Sequence, residues 1–552
     1  MTKKIISLLS ISSVILLSAC SQEKIKPIKG EKTSSHNTLI ENIGSDIPSL
    51  DPQQESDIVS NRVVNDLFEG LVEYNQKSEI IPTGAERWDV SQDELTYTFY
   101  LRKNAIWTNG DPVTAKDYVY SYRRAVTPDT MTRAYVNYFN PIVNSKAIQA
   151  GTKSPDTLGV TAKSKYVLQI KLATPNPTFI ASLTLPCFIP INQKAVDKHG
   201  TAWANIPSTI ISNGAYKLSK WIHNGYAEAV KNPDYWNNEN VSIDKVRYLM
   251  ISDAASDMQN YSAGKEGITN YTLPANADKW YKSHFPKQYT RAPTLSQTFY
   301  IFNMREDKFK DIRVRKALSM TIDRDGLTKG VLQQGQEPSY LVIPKSISEG
   351  RYKDIYKDIP GYEWVDQPLD QRIQTARKLL KEAGYTTEHP LYITINFNTS
   401  NTNRNIALVI QAVWNQSFDG VVVAEVFNED WKVYLSDLDK GNFDIARLGW
   451  SADFNEPNTY TEMYTCSSTN NRGNYCNKEA DKLYYKSIQM EDKEEFYKLQ
   501  RELIIKQTKD YPIIPLFIAP YNRLVQSYVK NFDPAHNIMG VYTTKDFKIK
   551  HA

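Results

Sequence analysis

A single long apolar run, at the N-terminus, constrains this 552-residue chain most strongly. Lys3 and Lys4 form a positive start, and residues 5–17 are apolar apart from interrupting serines. A run of this length is too short for a comfortable membrane span and is typical of a secretory signal peptide. Because no second long apolar run follows, a polytopic membrane protein is excluded, and the remaining chain is expected to fold as an exported globular protein.

The apolar run ends in the motif LSAC (17–20), which resembles a bacterial lipobox. The resemblance implies that 1–19 is a signal peptide, that cleavage follows Ala19, and that lipid is attached to the sulfur of Cys20. The polar segment 20–36 lacks apolar periodicity and is predicted to be a flexible tether. We therefore expect a protein anchored by lipid at the extracellular face of the cell membrane, which fits a Gram-positive cell. The alternative is an ordinary signal peptide with a chance cysteine.

Composition and motifs narrow the function classes. The chain has 66 basic and 62 acidic residues, a net charge of 66 − 62 = +4, and no block of five or six like charges. This argues against a nucleic-acid partner. Neither a G-x-S-x-G elbow, a P-loop nor G-x-G-x-x-G occurs, and there is no CxxC or HExxH, so no cofactor or metal is expected. The missing motifs favour a binding protein over an enzyme, although catalytic triads are spatial arrangements.

The cysteines other than Cys20 allow two readings. Cys466 and Cys476 flank a polar loop, CSSTNNRGNYC, and could form a local disulfide in an oxidising compartment or remain two unrelated thiols. Cys187 lies in the apolar run LPCFIPI and is predicted to be a small buried hydrophobic residue.

Hydrophobic periodicity predicts a mixture of strands and helices. Alternation in TYTFYLR and VLQIKL predicts strands, whereas helical spacing occurs in DIRVRKALSMTIDR (Val314 to Ile322), in DQRIQTARKLLKEAG and over about 492–508. The proline-punctuated run YPIIPLFIAPY (511–521) excludes a central helix and is interpreted as a crossover between lobes. The predicted fold class is therefore mixed α/β (α+β), with several lobes.

A family resemblance rests on eight segments that follow one another along nearly the whole mature chain: IGSDIPSLDPQ (43–53), DLFEGLVEYN (66–75), AERWDVSQDELTYTFYLRKNAIWTNGDPVTAKDYVYSYRRAV (85–126), NGAYKLSKW (213–221), DYWNN (234–238), DIRVRKALSMTIDR (311–324), LLKEAGY (379–385) and GWSADFNEP (449–457). Together they resemble the oligopeptide-binding lipoproteins of ABC importers, in family 5 of the extracellular solute-binding proteins.

The resemblance implies a periplasmic-binding-protein-like fold in which two hinged lobes close over the ligand, with an additional third domain. Mapped onto this chain, it implies the following boundaries: lobe I at 36–68, 190–294 and 522–552, the extra domain at 69–189, and lobe II at 295–521.

The implied function is that of a non-enzymatic receptor, expected to be a monomer. It captures oligopeptides through their backbone and terminal charges and delivers them to the permease and ATPase subunits of an ABC transporter. The alternatives are a dedicated receptor for one signalling peptide of the pheromone type, a nickel, haem or murein-peptide receptor, and an extracellular hydrolase.

The resemblance also implies peptide-binding residues. Asp453 matches the acid that pairs with the peptide ammonium, although by itself it reads as a turn or N-cap aspartate. Arg447 matches a basic residue used toward the peptide C-terminus, with a structural ion pair as the alternative. The resemblance further implies that Gly449, Trp450 and Ser451 form a strand that pairs with the peptide backbone. It also implies a backbone contact from lobe I at Ile58 and a cleft tyrosine from the extra domain at Tyr135.

Two departures from the family pattern affect the site. Some members carry a disulfide where this chain has Ser296 and Ser451, so that bridge is absent. A histidine of members that leave the peptide carboxylate accessible is replaced near Asn403 and Arg404, which leaves the reading of the peptide C-terminus open.

Overall fold

The structure, a computed structural model, describes residues 37–132, 134–270, 273–274 and 278–550. The predicted signal peptide, Cys20 and the tether up to residue 36 lie outside the described residues. Strands and helices interleave throughout, which confirms the predicted mixed α/β class. Within the described ranges, no helix combines the length and apolar character needed to cross a bilayer.

The strands vary from two-residue bridges to two long strands of twelve and fourteen residues. Their bounds are β1 (Thr38–Asn42), β2 (Val72–Tyr74), β3 (Ile80–Pro82), β4 (Ala85–Val90), β5 (Thr96–Leu101), β6 (Val160–Ser164), β7 (Val167–Lys171), β8 (Tyr216–Ile222), β9 (Tyr226–Lys231), β10 (Lys245–Leu249), β11 (Tyr289–Phe302), β12 (Glu337–Pro338), β13 (Leu391–Asn398), β14 (Val422–Glu429), β15 (Ile445–Ser451), β16 (Ile513–Leu524), β17 (Val529–Lys530) and β18 (Lys548–Ile549).

Three sheets of four to six strands, each with its own apolar core, hold most of the described strands; β2 pairs with β3 and β17 with β18 in two further two-stranded sheets. Sheet A has the order β1-β10-β9-β8, sheet B the order β4-β5-β7-β6, and sheet C the order β12-β16-β11-β15-β13-β14. In β5, Tyr97, Phe99 and Leu101 are buried while their neighbours are partly exposed, so this alternation was correctly read as one buried face. The cleft described below lies among these three cores.

The α-helices of seven or more residues cover the sheets: α1 (Ile58–Leu67), α2 (Ala115–Val126), α3 (Gln193–His199), α4 (Ala254–Ser262), α5 (Asp278–His284), α6 (Ile312–Met320), α7 (Leu369–Glu382), α8 (Asn401–Phe418), α9 (Trp431–Lys440), α10 (Lys478–Ser487) and α11 (Lys493–Lys509). The Asp57 carboxylate caps α1 by accepting from the amides of Val59 and Ser60. The helix predicted through Ile322 was too long, because α6 ends at Met320.

The two longest strands, β11 and β16, pair antiparallel from Tyr289↔Leu524 to Ile301↔Ile513. One end of this ribbon contributes to the core of sheet C, and the other end packs with the core of sheet A. The predicted crossover run therefore forms a strand, and its prolines coincide with irregular pairing. The register shifts beside Pro515, and regular pairing lapses next to Pro520, because proline cannot donate a ladder hydrogen bond.

Candidate functional site

A cleft of about 710 Å³ opens among the three cores. Ile58, at the first turn of α1, lines it from the sheet A side, and Tyr135 lines it from the sheet B side. Sheet C contributes the end of β15 and the segment that follows it. The cleft thus brings together all seven residues implied by the resemblance: Ile58, Tyr135, Arg447, Gly449, Trp450, Ser451 and Asp453.

Asp453 follows the last strand residue of β15 and is partly buried in the cleft wall. One carboxylate oxygen, Oδ2, accepts from the Tyr138 hydroxyl at 2.7 Å and from Thr459 Oγ1 at 3.1 Å. Burial raises the pKa of Asp453 to about 7, although these two hydrogen bonds favour the ionised form. No lysine or arginine within the described part of the chain pairs with this carboxylate, so it can accept a cationic partner from the cleft.

The second half of β15 presents an open edge. On one side β15 pairs with β11 along its whole length, but on the other side β13 pairs only with Ile445 and Ala446. Main-chain groups alternate between the two sides of a strand, and the Arg447 carbonyl faces away from β11, toward the Tyr434 hydroxyl at 2.6 Å. The amide and carbonyl groups of Gly449 and Ser451 therefore face the open edge, where an extended peptide can pair with them.

Arg447 supplies a positive charge nearer the N-terminal end of β15. Its Nε is buried without a hydrogen-bond partner, and no side-chain hydrogen bond to its guanidinium is found among the described residues. Burial lowers the pKa of Arg447, but the guanidinium stays protonated at neutral pH. Its Nη2 lies 3.4 Å from where a Cβ on Gly449 would be, so the side chain extends over Gly449 toward Asp453.

The aromatic residues form apolar walls beside these polar groups. Trp450 is 8% exposed, and its carbonyl accepts from the Tyr460 hydroxyl at 2.7 Å, so it contributes both to the core and to the cleft surface. Tyr135 stacks on Tyr138 with ring centroids 6.3 Å apart. Ile58 is 52% exposed and lines the cleft, so its side chain is available to a ligand there.

Sequence reasoning missed Tyr138 and Thr459, the two residues that hold the Asp453 carboxylate. Thr459 is close in sequence, and its Oγ1 also accepts from the Asp453 amide at 2.8 Å. Tyr138 is distant in sequence and reaches Asp453 only through the tertiary fold. Its position three residues after Tyr135, in one helical turn (Val136–Phe139), was the only local signal.

The structure also shows the positions of the cysteines and of two residues that depart from the family pattern. Cys466 and Cys476 form a disulfide, and Cys187 is a buried free thiol. Ser296 and Ser451 stand opposite each other in the β11–β15 ladder, at the positions where the resemblance implies a disulfide in some members. Among the described residues, no group of three or more His, Cys, Asp or Glu side chains is arranged to hold a metal ion.

Comparisons with known proteins agree with this geometry. Residues 79–472 match the model of the bacterial extracellular solute-binding proteins, family 5. The periplasmic oligopeptide-binding protein OppA of Haemophilus influenzae is 33% identical over 542 residues, which cover 97% of this chain and 98% of the relative. The crystal structure of that species' OppA in complex with the peptide RPPGFSPFR has a TM-score of 0.89 at 33% identity, covering 94% of this chain and all of the other.

A second structural comparison concerns the arrangement of the lobes. The unliganded open form of the murein tripeptide binding protein MppA, 31% identical, has a TM-score of only 0.62, although 95% of this chain and 99% of the other are covered. The present arrangement is thus closer to the peptide-bound relative than to the open form.

Proposed function

Because the chain belongs to family 5 of the bacterial extracellular solute-binding proteins, which bind substrates and are not enzymes, we propose that it captures oligopeptides in the cleft. The observation that carries this proposal is the partly buried Asp453 carboxyl, which lacks a cationic partner among the described residues and stands at the end of an open strand edge. A peptide ammonium supplies the missing positive charge through charge-assisted hydrogen bonds.

In this proposal the peptide lies extended along β15. Its ammonium binds Asp453, its backbone pairs with Gly449 and Ser451, and its carboxylate meets Arg447. Because the Arg447 guanidinium lies over Gly449, the two charged groups are separated by about 13 Å of extended strand. That span matches a peptide of about three or four residues, at roughly 3.3–3.6 Å per residue. Trp450, Tyr135 and Ile58 then border the side-chain pockets.

We also propose that the three cores correspond to lobe I, the extra domain and lobe II with the boundaries inferred above. The paired strands β11 and β16 then act as the hinge between the lobes, and peptide favours the closed arrangement. The higher similarity to a peptide-bound relative than to an open form supports this interpretation. The Tyr138–Asp453 hydrogen bond links the extra domain to the ammonium site, so it contributes to closure.

Delivery completes the proposed role. The closed monomer docks on the permease of an ABC transporter, whose ATPase subunits hydrolyse ATP. A lipid on Cys20 keeps the receptor at the extracellular face of the membrane, the arrangement expected of a Gram-positive cell. The periplasmic OppA relative supports an exported location.

The test is binding of a mixed peptide library to the 21–552 fragment, with mass spectrometry of the retained peptides. We expect retention of many sequences, loss of retention on N-acetylation, and weakened retention by Asp453→Asn. The matched control is Asp358→Asn, which alters an exposed aspartate paired with Arg501 at 2.7 Å. Retention of one sequence alone would indicate a dedicated signal receptor, and no retained peptide would refute the proposal.

A further inference from the structure

A second arginine, Arg472, reaches the cleft from the loop closed by the Cys466–Cys476 disulfide. The loop packs on the end of β11. The Met304 amide donates to the Gly473 carbonyl at 2.8 Å, and Arg305 Nη1 donates to the Arg472 carbonyl at 2.9 Å. A Cβ on Gly473 would lie 2.6 Å from the Phe302 carbonyl oxygen, so only glycine permits this approach. The backbone at Arg472 is therefore held on both sides.

The Arg472 side chain is buried but not fully used by the protein. It is 7% exposed, it lines the cleft, and its Nε donates to Asp439 Oδ1 at 3.0 Å. A guanidinium has five N–H donors, and no other hydrogen bond from this side chain is found in the described part of the chain. Neither of its remaining nitrogens is sealed from solvent without a partner, and the residue lines the cleft, so a ligand there can reach it.

Arg472 lies near Arg447 but toward the opposite end of β15 from Asp453. Burial raises the pKa of Tyr434, whose hydroxyl donates to the Arg447 carbonyl, and the charges of Arg447 and Arg472 both oppose that rise, so both lie near Tyr434. The loop meets the chain at Phe302 and Met304, and Phe302 is paired with Ile445, the first residue of β15. Along the strand, the order is thus Asp453, the Arg447 guanidinium over Gly449, and then Arg472.

We infer that Arg472 binds a carboxylate of the peptide ligand, beyond the point at which Arg447 holds the C-terminus of a short peptide. This inference rests on the proposed function and names a further specificity-determining residue of the same cleft. The physical reason is charge: Arg472 is a buried cation paired with Asp439, and within the described part of the chain only its Nε donates a hydrogen bond. A ligand carboxylate accepts charge-assisted hydrogen bonds from the remaining N–H groups of this guanidinium.

Two sources can supply this carboxylate. One is the C-terminal group of a peptide longer than those that end at Arg447. The other is an aspartate or glutamate side chain near the C-terminus of the ligand. The chemistry at Arg472 is the same in both cases, a charge-assisted pair with a planar carboxylate.

The experiment measures peptide affinity by calorimetry on the oxidised 21–552 protein and its Arg472→Gln and Arg472→Lys variants. One arm uses free-acid polyalanine peptides of three to six residues. The other uses C-terminally amidated hexapeptides that differ only in a glutamate or a glutamine at position five. The control is Arg351→Gln, which alters an exposed arginine paired with Glu494.

We expect Arg472→Gln to weaken carboxylate-bearing ligands about tenfold in at least one arm, while the amidated glutamine peptide and the tripeptide lose less than about twofold. Arg472→Lys should keep part of the preference, and Arg351→Gln should change nothing. An effect on the long free acids identifies the terminal carboxylate, and an effect on the glutamate peptide identifies the side chain. Equal loss for all ligands, or no loss for any, would overturn the inference. If the unsubstituted protein binds no peptide, the proposed function itself fails instead.

Discussion

Peptide binding should depend on pH near neutrality, because burial raises the pKa of Asp453 to about 7. The peptide ammonium requires the ionised carboxylate, and its positive charge lowers the pKa of Asp453 in the complex. Binding therefore releases a proton from the fraction of protein that is protonated. The contribution of the Asp453 carboxylate to affinity is retained above pH 7 and is lost as the pH drops through 7. On the alkaline side the peptide amine, with an ordinary pKa of about 8, loses its charge.

The size of the pH effect follows from two fractions: that of Asp453 present as carboxylate and that of the peptide amine present as ammonium. Their product is largest near about pH 7.5, and it is roughly 20-fold lower at about pH 5.5 and at about pH 9.5. At pH 7 about half of Asp453 is protonated in the free protein, whereas most of the peptide amine already carries its proton. Binding should thus release about 0.4 proton per peptide at this pH.

The assay is calorimetry with a tripeptide at half-unit steps across this range, in two buffers of different ionisation enthalpy. Asp453→Asn should bind more weakly and lose the acidic limb of the profile while keeping the alkaline limb. Glu462→Gln is the informative control. Burial raises the pKa of Glu462 to about 7 as well, but this carboxylate bonds Asn137 and Ser468 and does not line the cleft.

Three outcomes would refute the reasoning. Constant affinity between pH 5 and 7 would mean that Asp453 is already ionised in the free protein or does not meet the ammonium. If the fall in affinity at low pH persisted in Asp453→Asn but disappeared in Glu462→Gln, it would be due to Glu462, which bonds Asn137 and Ser468, and not to Asp453. Unchanged binding of the N-acetylated tripeptide would exclude recognition of the ammonium altogether.

Other perturbations have equally definite outcomes. Burial raises the pKa of Glu266 to about 10, so the unsubstituted protein loses up to about 3 kcal/mol of unfolding free energy between pH 4.5 and pH 7. Glu266→Gln should therefore raise the melting temperature by an amount that grows from pH 4.5 to 8, and a gain that does not change with pH would contradict this. Gly449→Val should displace the Arg447 guanidinium and weaken free-acid tripeptides about tenfold more than their amides, measured by calorimetry. Tyr138→Phe should weaken tripeptide binding several-fold without lowering the melting temperature, and an unchanged affinity would exclude its role in closure.

Local patterns in the sequence were sufficient for much of the secondary structure. The alternation around Phe99 and the helical spacing around Ala376 correspond to observed elements, because each pattern reflects one buried face. The end of α6 was misplaced because Thr321 and Ile322 are buried beyond the helix, and burial alone does not distinguish a helical turn from the loop that follows it.

The residues of the site could be predicted from the sequence only at positions that match the family pattern. Asp453 by itself reads as a turn residue, and spacing alone could not select it from 62 acidic residues. Tyr138 and Arg472 could not be found, because their partners are brought near by the tertiary fold. The Tyr138–Asp453 bond joins residues 315 positions apart, and the Arg472–Asp439 pair joins residues 33 apart.

The open edge of β15 explains why such a site has to lie in a cleft. Unpaired amide and carbonyl groups on an exposed strand edge invite pairing with any other chain, so proteins usually cover or shorten such edges. Here β13 pairs with only the first two residues of β15, and the Tyr434 hydroxyl satisfies the Arg447 carbonyl beyond that point. The groups of Gly449 and Ser451 then remain for water or a ligand. Walls that include Ile58 and Tyr135 stand over this edge, so the proposed peptide site is kept away from the sheet edges of other molecules.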